Sequence, residues 1–137
     1  AAAIAAAGAE MAVALSSGGG NEDSKGDANT TDIPSSKALG RALEAAGHTR
    51  PPNSAAHHIV AGSAPGASEA RGVLARLGIE INDATNGVFL PVSQHVALHT
   101  SAYYTSVNQA LQGATTRAEA IGALQSIARR LQAGSFP

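Results

Sequence analysis

The sequence predicts an α+β fold that is mainly helical, with one small β element. Helical periodicity with identifiable ends recurs four times between Ser36 and Gly134. Only two stretches, His58-Ile-Val60 and Gly87-Val-Phe-Leu90, read as strands, and both are short. Aromatic residues make up 3% of the 137 residues, so the core must be small and built from Leu, Ile, Val and Ala.

Residues 1–15 (AAAIAAAGAEMAVAL) are apolar but interrupted by Glu10. They fall short of the roughly 20 residues of a bilayer span, and no basic n-region precedes them. An Ala-rich helix from a preceding region is the expectation. Residue 1 is Ala and the first Met is Met11, so the chain is expected to be part of a longer or processed polypeptide. Gly, Ser, Asn and Asp dominate from Ser16 to Ser36, which makes residues 1–36 an extension ending in a flexible linker. The foldable domain is then 37–137.

Its first helix is KALGRALEAA, capped by Ser35 or Ser36 and ended by Gly47. "HTRPPN" breaks the pattern before the strand at His58–Val60. Ser68 is expected to cap a helix over 68–77, with Ala70, Val73, Leu74 and Leu77 on one face and Gly78 as its stop. A turn at Asn82-Asp83 leads into the strand Gly87–Leu90, and one helix is expected from Ser93 to Leu111. The last opens on a capping box, Thr116-Arg-Ala-Glu119, and carries Ile121, Leu124, Ile127 and Leu131 towards Gly134.

Charge decides little. The net value is -1; residues 51–137 hold five arginines, four acids and no lysine, which permits a phosphate-binding face without demanding one. With no cysteines, disulfides and thiolate metal sites are excluded, and a metal would need His, Asp, Glu or Asn.

Four of the five histidines sit in two pairs, each adjoining one of the strands: His57-His58 and His95-Val-Ala-Leu-His99. Histidines four apart share a helix face, the spacing two imidazoles need to chelate one ion. Adjacent residues on an extended segment point to opposite faces. If the strands pair and the helix crosses them, three imidazoles can hold a metal with an open position, as catalytic sites do. The fourth is left to activate water as a general base. An all-imidazole set suits zinc, nickel, cobalt or manganese ahead of magnesium or calcium.

"AAHHIV", "NGVFLP" and "HVALH" together resemble the AHH branch of the HNH/endonuclease VII superfamily, over about residues 48–112. The resemblance implies a ββα-metal finger: a hairpin and a helix around one divalent ion, with an extra helix at 68–77 between the strands. It implies that His57, His95 and His99 are metal ligands and His58 is the base. It also implies that Asn86 pins the loop that orients the base. It implies an endonuclease, acting on DNA ahead of RNA, and since nothing in the sequence resembles a base-reading element, cleavage is expected to be non-specific in sequence. By the same resemblance the domain is the C-terminal toxin module of a secreted bacterial polypeptide, delivered into a target cell's cytoplasm and blocked by a cognate immunity protein. The contrasting class is a non-catalytic metal-binding or adaptor domain whose histidines only hold the fold.

Arg50 lies near enough to the His pair to contact substrate phosphate, or else forms a structural salt bridge. Tyr103 and Tyr104 follow His99 by about one turn, so one of them can pack, touch substrate or support a ligand. His48 is read as a loop residue and Asp83 as a turn former. Arg129 and Arg130 suit a helix C-terminus.

Overall fold

The computed structural model describes residues 33–137, so the Ala-rich segment and linker up to residue 32 lie outside the described residues. Seven elements follow in order: α1 (Ser36–Ala45), β1 (Ser54–His58), α2 (Ser68–Arg76), β2 (Gly87–Pro91), α3 (Val92–Ala97), α4 (Ser101–Leu111) and α5 (Arg117–Gln132). The fold is α+β and mainly helical, with a two-stranded antiparallel sheet, as expected for a ββα-metal nuclease.

The strands pair Ser54 with Pro91 through to His58 with Gly87. The sheet therefore lies between two apolar layers. On one side Ala56 and Phe89 pack with Leu39 and Leu43 of α1. On the other, Val88 and Leu90 join the larger core from α2, α4 and α5, with Leu74, Val107, Leu124 and Leu131 at its centre. Gly87 is required where α1 crosses: a Cβ there would meet Leu39 Cδ1 at 2.6 Å.

The first strand is Ser54–His58, not His58–Val60. Ile59 and Val60 leave the ladder because their N–H groups bond instead to the Asn86 carbonyl (2.8 Å) and to Asn86 Oδ1 (2.9 Å). The helix expected from Ser93 to Leu111 is two helices. α3 stops at Ala97, and Thr100 adopts an extended backbone (φ -130°) with its hydroxyl accepting from the Tyr103 N–H. A hydroxyl that caps a new helix competes with continuation of the old one. Consequently His95 lies in α3 but His99 lies between the helices, and the two do not share one helix face.

Helix ends otherwise follow their residues. Ser35 caps α1 and Gly47 ends it at φ +100°. Thr116 caps α5 by accepting from the Glu119 N–H, while the Glu119 carboxylate accepts from the Thr115 N–H and hydroxyl. Ser68 does not cap α2. It is the first helical residue, and the Ala70 N–H is taken by Asn108 Oδ1 of α4 at 3.0 Å.

Candidate functional site

β1 turns its two histidines to opposite faces, as strand geometry requires. His57 points towards α3 and α4 and is 2% exposed. His58, opposite Gly87 on the α1 side, is half-buried.

Around His57 the rings of His95 and His99 gather. Centroid separations are 5.1 Å for His57–His95, 5.3 Å for His95–His99 and 6.4 Å for His57–His99. His57 is buried, His95 half-buried and His99 exposed, so the cluster runs from the core to solvent. The bend between α3 and α4 brings His99 in where a straight helix was expected to.

A fourth side chain fixes His57. The Tyr103 hydroxyl lies 2.7 Å from the Ile59 carbonyl and 2.8 Å from His57 Nε2, with the ring 1% exposed. Two oxygens that close need the hydrogen between them, and a carbonyl has none to give, so Tyr103 donates to Ile59. The hydroxyl must then accept from His57, which places the His57 hydrogen on Nε2 and a lone pair on Nδ1. That lone pair faces His95 Nδ1 at 3.1 Å. Tyr103 is thus the buried partner of His57, which fits the packing and ligand-support roles among those the sequence left open.

The electrostatics favour neutral imidazoles. Burial, reinforced by the neighbouring His95, His99 and His58, pushes the pKa of His57 down from 6.5 to about 3. Burial also lowers His58, against an opposing hydrogen bond to Asn82. His95 is lowered by burial, then by His99 and His58. A neutral imidazole is the form that binds a metal ion.

Among the described residues no group of three or more His, Asp or Glu side chains is already set to hold an ion. His57 and His95 are joined directly instead. The donors nonetheless suit one: two nitrogens on a tetrahedral ion at the usual bond lengths lie about 3.3 Å apart. The 3.1 Å between the two Nδ1 atoms is close to that separation.

Asn86 is fully buried and ties the end of β1 to the preceding turn. Its Oδ1 accepts from the Val60 N–H, and its Nδ2 donates to the carbonyls of Ile81 (2.9 Å) and Val60 (3.3 Å). These bonds hold the loop, but none of them reaches His58. The residue that does is Asn82, whose Oδ1 lies 2.8 Å from His58 Nε2. Sequence reading took Asn82 only as a turn residue; a side chain 24 positions away leaves no local signal.

Arg50 sits on the α1 side of the sheet. It forms a salt bridge with Glu44 (3.1 Å) and lies 4.7 Å over the Phe89 ring, the structural one of the two roles the sequence left open. Asp83 accepts from the Thr85 N–H and hydroxyl, as a turn former should, and contacts Arg117 at 3.7 Å. Tyr104 reaches His99 Nδ1 at 3.4 Å. His48 lies in an exposed loop.

Residues 39–131 match the model of the AHH family, described as a nuclease family of the HNH/ENDO VII superfamily with conserved AHH. No curated protein and no solved structure matches the chain.

Proposed function

Because this chain belongs to the AHH nuclease family of the HNH/endonuclease VII superfamily, we propose that it is a metal-dependent endonuclease using a single His-ligated ion. The observation that carries the reading is the split of the histidine pair. His57 joins His95 and His99 in one cluster, while His58 leaves the strand on its other face with a nitrogen tied to Asn82. His57, His95 and His99 would hold the ion, which neutralises phosphate charge and stabilises the leaving oxygen. His58 takes the proton from the attacking water. Asn86 keeps the end of β1 in place, and Tyr103 keeps His57 in its tautomer.

The substrate is DNA ahead of RNA, cut without sequence preference. The context is a toxin module released from a secreted bacterial parent chain, acting in the target cell's cytoplasm and held in check by an immunity protein. These finer points rest on the resemblance of "AAHHIV", "NGVFLP" and "HVALH" to that branch.

The test incubates the purified protein with plasmid DNA and with RNA, with and without EDTA, beside the His58→Ala variant. Cleavage should stop with EDTA. The variant should lose roughly 10²- to 10⁴-fold in rate, the usual contribution of a positioned base, while still binding zinc. The direct His57–His95 bond favours a second reading, in which the histidines serve the fold alone. Absence of cleavage with any divalent ion would support it, and activity that survives both EDTA and His58→Ala would sink the proposed mechanism.

A further inference from the structure

The half-buried His58 has a single hydrogen-bond partner on its Nε2 side, the Oδ1 of Asn82 at 2.8 Å. That amide cannot be turned over. Its Oδ1 also accepts from the Ser35 N–H at 3.0 Å, and its Nδ2 donates to the Ile33 carbonyl at 2.7 Å. Exchanging the two atoms would set donor against donor at Ser35 and carbonyl against carbonyl at Ile33. The oxygen therefore faces His58, and the imidazole has to supply the hydrogen. Nε2 carries it, and Nδ1 is left with the lone pair.

We propose that Asn82 is the positioning residue of the reaction: its side-chain oxygen holds His58 in the Nε2–H tautomer, leaving Nδ1 to take the proton from water. This rests on the reading of His58 as the base. Asn86 holds the backbone after His58, at Val60 and Ile81, whereas Asn82 acts on the ring itself. A ring held by one nitrogen can accept only through the other, so the bond settles both the direction and the atom of proton transfer.

The device extends to the chain just ahead of α1. Ile33 and Ser35 clamp the Asn82 amide, and Pro34 lies against Gly62, where a Cβ would collide with it. Both clamping residues precede the region matched to the family, which starts at residue 39. Orientation of the base thus depends on the junction between the domain and what precedes it.

The first measurement needs no variant. The full chain, with 15N-labelled histidine and free of metal, is examined by NMR at about pH 8, where an ordinary imidazole is neutral. The expected result is His58 with its hydrogen on Nε2; a hydrogen on Nδ1 overturns the proposal. The second compares plasmid cleavage by Asn82→Ala, Asn82→Asp and His58→Ala. Asn82→Ala should lose about 10- to 100-fold in kcat, as misplaced catalytic groups do. KM and zinc affinity should stay within about twofold, since the bonds of Asn82 go to His58, Ser35 and Ile33 and none to the cluster. Asn82→Asp keeps the oxygen facing His58 and should retain the Nε2–H signature, but its second oxygen meets the Ile33 carbonyl, so it should recover only part of the rate. A kcat for Asn82→Ala within about twofold of wild type, with His58→Ala inactive, refutes the role of Asn82 alone. Cleavage surviving His58→Ala removes the base assignment itself, and this role of Asn82 with it.

Discussion

Removing one oxygen from the core tests the support beneath His57. In Tyr103→Phe the ring keeps its packing, including the edge contact with Phe136 at 5.6 Å between centroids. What is lost is the atom that accepts from His57 Nε2 and donates to the Ile59 carbonyl, both at buried positions. Each polar group stranded in this way costs about 1–3 kcal/mol. Part of the sum is recovered by local relaxation, so the expected loss is roughly 2–4 kcal/mol. With a urea slope of about 1–2 kcal/mol/M for a domain of this size, the midpoint should fall by about 1–4 M. Urea denaturation of the metal-free protein at pH 8 measures it. Tyr104→Phe is the control: its hydroxyl reaches His99 only at 3.4 Å and near the surface, so the change should stay within about 0.5 kcal/mol. Zinc titration gives an independent readout, with an expected 10- to 100-fold loss in affinity for Tyr103→Phe, the usual effect of removing a partner of a ligand. A Tyr103→Phe protein as stable as Tyr104→Phe would refute the hydrogen-bond assignment and the tautomer drawn from it.

Acid should destabilise the metal-free protein. His57 has a pKa of about 3 in the fold and 6.5 as its ordinary value, so between those pH values the unfolded chain binds a proton the native state refuses. Stability from this group is complete above pH 6.5 and falls as pH drops, by up to about 1.4 kcal/mol per pH unit. His58 and His95 are shifted the same way and add to the slope. A urea midpoint unchanged between pH 7 and pH 5 would contradict it. Asn86→Ala should cost about 3 kcal/mol in urea denaturation, since it strands the buried groups of Val60 and the half-buried carbonyl of Ile81; a loss below about 1 kcal/mol would show that the loop does not depend on it.

Where residues speak locally, the sequence was a good guide. Ser35, Gly47, Gly78, Thr116 and Gly134 mark helix ends because capping and left-handed backbone are properties of single residues. The sequence misplaced the first strand by four residues at its start because Ser54-Ala-Ala-His-His58 has no β-branched residue, whereas Ile59-Val60 does. Those two residues bond to Asn86 instead of the ladder, a long-range fact. The break at Thr100-Ser101 did have a local signal, since a Thr or Ser inside a helical pattern can cap a new helix, but the apolar spacing outweighed it. For the site, the histidine set was legible from spacing and resemblance. The residues that fix its chemistry, Tyr103 for His57 and Asn82 for His58, were read as packing, support or substrate contact in one case and as turn in the other. Each meets its histidine only after the chain has folded across 46 and 24 positions.

Those two partners explain why the motif needs both histidines on a strand. Tyr103 sits in the deep layer formed by α4, and Asn82 on the opposite side beneath the start of α1. Alternation along β1 delivers neighbouring rings to these two sites without any further backbone device. Each site takes hold of Nε2 and frees Nδ1, the nitrogen nearer the strand. One freed Nδ1 meets the His95 ring, and under the proposed mechanism the other would take the proton from water. On a helix, consecutive residues diverge by about 100°, so the two rings could not have been gripped from opposite sides of one thin layer. Inserting a single residue between Ala56 and His57 would put His57 on the α1 face and His58 on the His95 face. The inserted chain should then lose cleavage even though both imidazoles and the His95–His99 pair are retained.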